Sequence, residues 1–321
     1  MTLHKYATNP WANGWCQAHI DWTRYVLVVS RMITPMTKID WPRHMRTVVD
    51  CDDAFYRYTP GAEAITARAV ASLRGQIRLR QTKAAVRRYD HAFFCSARDE
   101  ALFRSSSSSI LPNVVPASRE APAAPQVATG SVLIVGSMWY PPNRQGADWY
   151  LEHCWPEIAA RCPGLTLRIV GPAPVEDRRR WAQAPRTEAP GFVEDLNAEY
   201  ARASFAVAPI HYGGGTCIKF LESAAFRKPC VVSSHVFEVF NGDFRDGYSV
   251  LVASDAQRMV EQCVALFESA ERRSAIAEHA YDTVARLYTV ERFKATVQAA
   301  VRHVTALRGD DDKLSGKDGS Q

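Results

Sequence analysis

The sequence predicts an α/β protein of two domains, each a parallel sheet covered by helices, the first smaller than the second. Three observations carry that expectation. From residue 131 onward, apolar runs at 131–136, 165–171, 205–210, 229–233 and 249–253 alternate with stretches of helical period, as in βαβ units. Residues 116–130 are rich in Ala and Pro and read as an interdomain linker. Nothing before Tyr25 reads as a strand with a glycine loop, so the first sheet is expected to lack one at its centre.

Composition narrows the class. A chain of 321 residues, 47% apolar and 23% charged, has material for two cores and the charge of an ordinary soluble protein. A net charge of +5 is too mild to argue for nucleic acid as a partner. No apolar run approaches the roughly 20 residues that span a bilayer, and the N-terminus does not read as a signal peptide. Eight cysteines are scattered without metal-ligand spacing; Cys51, Cys95 and Cys230 sit in strand-like runs as small hydrophobes. No metal and no cofactor is expected, and the expected compartment is the cytoplasm.

In the first domain, 1–115, residues 1–24 hold Trp11, Trp15 and Trp22 without a clear period and read as an irregular cover. Tyr25–Ser30 and Arg46–Cys51 read as buried parallel strands. Asp50, Asp52 and Asp53 cluster at the second strand's end, either as cap residues or with an acceptor-side role. Residues 61–89 form a long helical pattern with Ile65, Ala69, Leu73 and Ile77 on one face. Its other faces carry Arg68, Arg74, Arg78, Arg80, Lys83, Arg87 and Arg88. That basic stretch, 68–88, is either a solvated face or a peripheral contact with an anionic membrane, which would place the protein at the inner membrane face. His91–Ser96 is a strand and Ala97–Phe103 a short helix; a serine run and Ile110–Val115 close the domain.

The second domain, 131–290, contains the most informative stretch. Phe205–Ile210 is a buried strand; Gly213, Gly214 and Gly215 follow; Thr216 stands where a helix N-cap belongs, before apolar residues at 217, 218, 220, 221, 224 and 225. Strand, glycine loop and helix N-terminus together make an anion site. Lys219 falls in the first helical turn, where a cation opposes the dipole, so a nearby anion would have to outweigh the penalty. Glu222, three residues on, shares its face. A phosphate for the lysine and a sugar hydroxyl for the carboxylate would suit a nucleoside diphosphate; an ordinary glycine turn with a solvated Lys/Glu pair is the blander alternative. The P-loop pattern is not matched, because Lys219 lies four residues after the last glycine. Gly136-Ser137 and Gly171-Pro172 also end strands, so they can line the same cleft. Asp255–Phe267, Ala270–Tyr288 and Glu291–Leu307 read as helices, and the tail from 309 to 321 as disordered.

Gly213 to Ala225 resembles a motif of the GT-B glycosyltransferases, in particular the family 4-like group known as glycosyl transferases group 1. Val132–Met138 with Pro142-Asn143, Leu167–Gly171, Gly191–Asp195 and Lys228–Val232 resemble, in order, that family's first donor-domain strand and loop, its second strand, the segment beside the donor base and the strand after the motif helix. The likeness covers 131 to about 290 well and 46–115 more weakly. It implies two Rossmann-like domains facing a cleft, the N-terminal one truncated, with helix 291–308 packing back on the N-terminal domain.

The implied activity moves a sugar from a nucleotide-diphosphate sugar to an acceptor hydroxyl with retention, a hexosyltransferase reaction of glycan or polysaccharide biosynthesis. The implied donor site is Gly136, Ser137, Gly213, Gly214, Gly215, Thr216, Lys219 and Glu222, with Lys219 and Glu222 as the catalytic pair. The implied acceptor is a glycan, a lipid-linked sugar or a small molecule. The family's first glutamate of an E-x7-E pair would fall at Gly214, which removes one sugar contact. For the acceptor-side base, His19, His44, Asp52 and Asp53 are candidates by domain alone. Two rivals remain: a catalytically inactive GT-B-like nucleotide-binding or scaffolding protein, and a sugar-nucleotide epimerase of the same fold.

Overall fold

The structure is a computed structural model that describes residues 11–31, 39–51, 76–77, 79–115, 130–240 and 242–315. The chain divides into two compact units, one of Met1–Pro112 with Glu291–Gln321, the other of Asn113–Val290.

In the larger unit, six strands form one parallel sheet: β5 (Gly130–Val135), β6 (Leu165–Val170), β7 (Thr187–Gly191), β8 (Ala203–Ala208), β9 (Cys230–Ser233) and β10 (Leu251–Ala253). Their order is β10-β9-β8-β5-β6-β7, every pairing parallel. Successive side chains of a strand point to opposite faces, so each strand serves two cores. Val132, Ile134, Phe205 and Val207 enter the core that holds Tyr150, Trp155, Ile158, Met259 and Val260. Leu133, Ala206 and Ala208 enter the other, with Tyr200, Phe220, Leu221, Ala280 and Val284. The first core takes in α3 (Pro141–His153), α4 (Trp155–Arg161) and α9 (Ala256–Glu268); the second takes in α6 (Leu196–Arg202), α7 (Ile218–Ala225) and α10 (Ala270–Leu287). Asp255 and Ser269 cap α9 and α10 by accepting from Arg258 N and Arg272 N.

The parallel sheet expected from the sequence is present, with one strand more. β7, Thr-Glu-Ala-Pro-Gly, is too polar to read as a strand, and Pro190 survives there because β7 is the last strand of the sheet.

In the smaller unit, β1 (Leu27–Arg31), β2 (Arg46–Cys51), β3 (His91–Phe94) and β4 (Ser108–Ile110) form a parallel sheet in sequence order. Val49, Cys51, Ala92 and Phe94 pack with Ala85, Val86, Tyr89 and Phe103, the last from α2 (Ala97–Phe103). On the opposite face Val48, Phe93 and Leu111 pack with Ala300 and Val304 of α11 (Val290–Ser315).

Four expectations for this unit and its returning helix change. β1 is not buried: it ends the sheet, and Val29 is 62% exposed. Residues Ser108–Ile110 form a strand although they are mostly serine, because Phe93 and Phe94 offer them a paired backbone. The N-terminal cover contains a helix, α1 (Trp11–His19), and Asp21 caps a 3-10 turn at Trp22–Arg24. Finally α11 continues through 309 to Ser315, since Gly309 costs a helix only about 1 kcal/mol and no proline follows.

Of the helical pattern at 61–89, residues 76–77 and 79–86 are helical, while Arg68, Arg74 and Arg78 lie outside the described residues. Arg88 lies 3.7 Å from Asp40. No helix among the described residues is long and apolar enough to cross a membrane. All eight cysteines are buried. Burial pushes the Cys154 thiol up to about 12, and those of Cys51 and Cys263 higher.

Candidate functional site

In the larger sheet the chain runs outward through β5, β6 and β7, then returns to place β8 on the other side of β5. The loops after β5 and β8 therefore leave in opposite directions and open a crevice at the carboxyl ends of these strands. Gly136-Ser137 forms one of those loops and residues 209–217 the other.

Backbone contacts knit this edge together. Gly136 N donates to Val170 O at 3.0 Å, Met138 N to Pro172 O at 2.8 Å, and Gly171 N to Gly191 O at 2.8 Å. Gly146 of α3 lies so close to the end of β8 that a Cβ there would stand 2.4 Å from Pro209 O. Gly213 and Gly215 adopt φ of +122° and +74°, which the turn into α7 requires.

The helix start differs from the sequence reading. Cys217, not Thr216, is the N-cap residue of α7, and no side chain caps it. Thr216 is drawn away: its Oγ1 lies 2.5 Å from Asn113 Nδ2, which donates to it. The uncapped N-terminus keeps its partial positive charge directed at the loop.

Lys219, in the first turn of α7, reaches across to the β5 loop. A Cβ built on Gly136 would stand 2.7 Å from Lys219 Cε, so the lysine stem lies directly over that glycine. Glycine loop and lysine enclose a shallow cavity of about 60 Å³, lined also by Tyr140, Tyr212 and His235. His235 Nε2 lies 3.1 Å from Gly213 O and braces the loop. The cavity would hold one phosphate-sized group, not a whole ligand, for which pockets run to about 300–1,000 Å³. Among the described residues no carboxylate lies within 4 Å of the Lys219 ammonium, unlike the paired Arg168, Arg180 and Arg227.

Glu222 is not part of the cavity lining. Three positions along α7 it turns toward Tyr200, which hydrogen-bonds its carboxylate. Burial raises its pKa, while Lys219 and the Tyr200 hydroxyl pull it back. The structure thus gathers Gly136, Gly213, Gly214, Gly215, Thr216 and Lys219, and leaves Glu222 one step aside. Ser137 is tied to α3 through its carbonyl, which accepts from Asn143 Nδ2 at 2.8 Å. Tyr140 and His235 were not singled out in the sequence; neither belongs to a spaced motif, and only the fold brings them to the loop. Of the acceptor-side candidates in the smaller unit, His19 and His44 are exposed, and Asp52 and Asp53 lie outside the described residues.

Residues 129–269, which contain the whole of this crevice, match the family model described as Glycosyl transferases group 1. The fold of the chain is that of GT-B glycosyltransferases. It is similar to sucrose-phosphate synthase of Thermosynechococcus elongatus, at 17% identity and a TM-score of 0.74, covering 95% of this chain and 80% of that one. It is also similar to Anabaena HepE in complex with UDP, at 12% identity and a TM-score of 0.67, covering 91% and 81%. TarM, known from S. aureus, shares 10% identity at a TM-score of 0.68, covering 91% of this chain and 57% of TarM. No curated protein sequence matches the chain.

Proposed function

We propose that the protein is a retaining hexosyltransferase that moves a sugar from a nucleotide-diphosphate sugar to an acceptor hydroxyl, in glycan or polysaccharide biosynthesis. One observation carries this reading. Among the described residues, Lys219 presents an ammonium with no carboxylate within 4 Å at a cavity made by a glycine loop and an uncapped helix N-terminus. Both features favour an anion, and the cavity has room for one phosphate-sized group. As the glycosidic bond to the donor breaks, charge grows on the leaving diphosphate, and a fixed cation and backbone amides would stabilise it there. Gly136, over which the lysine stem lies, and Ser137 beside it would complete the donor site from the β5 loop. Glu222, steadied by Tyr200, takes the ribose hydroxyls. HepE has been solved with UDP and with UDP-glucose, so UDP-sugars are the first donors to test. The acceptor is a glycan, a lipid-linked sugar or a small molecule, and the compartment the cytoplasm.

Calorimetry with UDP and with inorganic pyrophosphate tests the assignment. Lys219→Ala is expected to weaken both by about 1.5–3 kcal/mol, roughly 10- to 150-fold, as a charge-assisted contact is lost. Glu222→Ala should weaken UDP and leave pyrophosphate unchanged. Indifference of UDP binding to both changes would sink the donor-site reading. Intact UDP binding by the unmodified protein without sugar transfer would favour the scaffolding alternative.

A further inference from the structure

Asn143 stands in the first turn of α3 and is 7% exposed. Its amide can face only one way. Nδ2 donates to the Ser137 carbonyl at 2.8 Å, and a carbonyl oxygen cannot accept from Oδ1. That orientation leaves Oδ1 as a buried acceptor without a partner among the described residues. A buried unsatisfied oxygen is uncommon enough to need a reason.

Lys219 is the cation that the described residues bring beside this amide. A point 2.8 Å from Asn143 Nδ2 and 3.2 Å from its Cγ is also 2.7 Å from Lys219 Cε: the position of the missing Cβ on Gly136. Lysine stem and asparagine amide therefore meet above the same glycine. Asn143 itself does not line the cavity, whereas Lys219 does. A ligand in the cavity meets the lysine and not the asparagine behind it.

We infer that Asn143 is a positioning residue for Lys219, its Oδ1 accepting one of the three ammonium protons when a diphosphate occupies the cavity. An ammonium has three donors and no acceptor. Phosphate oxygens on the cavity side take the outward protons, and Oδ1 takes the inward one, so the cation is held toward the phosphate rather than swinging with its four-carbon stem. Rotation about the Cδ–Cε bond brings Nζ to either side; no proton is transferred and no bond is broken. Gly136 is then required twice, for its own turn and for the space in which the two side chains meet.

This inference rests on the donor-site reading above, and a double-mutant cycle separates the two. UDP and pyrophosphate are titrated into the unmodified protein, Asn143→Ala, Lys219→Ala and the double variant, with each fold checked by thermal melting. Asn143→Ala is expected to weaken pyrophosphate about tenfold and to have no further effect in the Lys219→Ala background. An equal loss in both backgrounds would show that Asn143 acts only through the Ser137 loop and overturn the inference, as would unchanged affinity in Asn143→Ala. Wild-type affinity in Lys219→Ala, or no uptake of either ligand by the unmodified protein, would remove the donor site and the inference with it. If Asn143→Ala does not fold, Asn143→Leu, of similar size and without an acceptor, takes its place with the same expected result.

Discussion

The two sheets are built by one rule, parallel strands joined through helices, yet they place their left-handed glycines very differently. Among the described residues every glycine with positive φ lies in the larger unit: Gly136, Gly171, Gly191, Gly213, Gly215, Gly242 and Gly247. Three of them end strands and two form the loop that faces Lys219. This sheet buries both faces in broad cores containing Trp155, Trp181, Phe205 and Phe220. The smaller sheet has four strands, an exposed first one, and narrower cores around Phe94 and Phe93. Unfavourable backbone geometry persists only where the surroundings over-determine it. The larger unit can hold a tightly turned ligand loop because its strands are fixed from both sides.

The largest effect that would test this contrast is at Gly171. Its φ is +131°, and an added Cβ would stand 1.9 Å from the Gly136 carbonyl oxygen. Gly171→Ala should destabilise the larger unit by about 3–5 kcal/mol, read from denaturant unfolding, because backbone rather than a movable side chain is in the way. A loss under 1 kcal/mol would mean that this edge gives way easily.

Lys228 sharpens the comparison from the other side. It is 1% exposed, its Nζ 3.5 Å from Ala201 O, and burial lowers its pKa to about 8. The folded chain then binds fewer protons than the unfolded one between about pH 8 and 10.5, so stability should rise with pH across that window. Lys228→Met should raise stability at pH 7 by roughly 2 kcal/mol, with the gain fading toward pH 10.5. A gain independent of pH would assign the effect to packing instead.

The smallest effect is expected in α1 of the smaller unit. A Cβ on Gly14 would meet nothing within 4 Å. Gly14→Ala should stabilise by about 0.5–1 kcal/mol through helix propensity alone, a shift of a few degrees in melting temperature. A loss there would reveal contacts at α1 that the larger unit alone was thought to require.

What could be read in the sequence follows the same divide. Strands buried on both faces announce themselves as unbroken apolar runs, which is why 131–136 and 205–210 were legible to within two or three residues. Edge strands were not: Thr187–Gly191 and Ser108–Ile110 are strands through their neighbours' backbones, not their own side chains. Lys219 stood out because a cation in a first helical turn contradicts the dipole. Thr216 misled because a partner more than a hundred residues away, Asn113, claims its hydroxyl. Glu222 shares a face with Lys219 in one dimension, yet Tyr200 from another helix decides where its carboxylate rests. Asn143 was visible only as half of a Pro-Asn pair, since its importance arises from a glycine seven residues earlier and a lysine 76 residues later.

One packing detail bears on how the chain is made. The face of the smaller sheet formed by Val48, Phe93 and Leu111 is covered by Ala300 and Val304, which are synthesised after the whole of the larger unit. On the ribosome, the larger unit has all of its sequence before the smaller one does. The unit that begins earlier in this chain is therefore the later to close its core, and every nascent chain passes through a stage in which the larger unit is complete while Phe93 still waits for its cover.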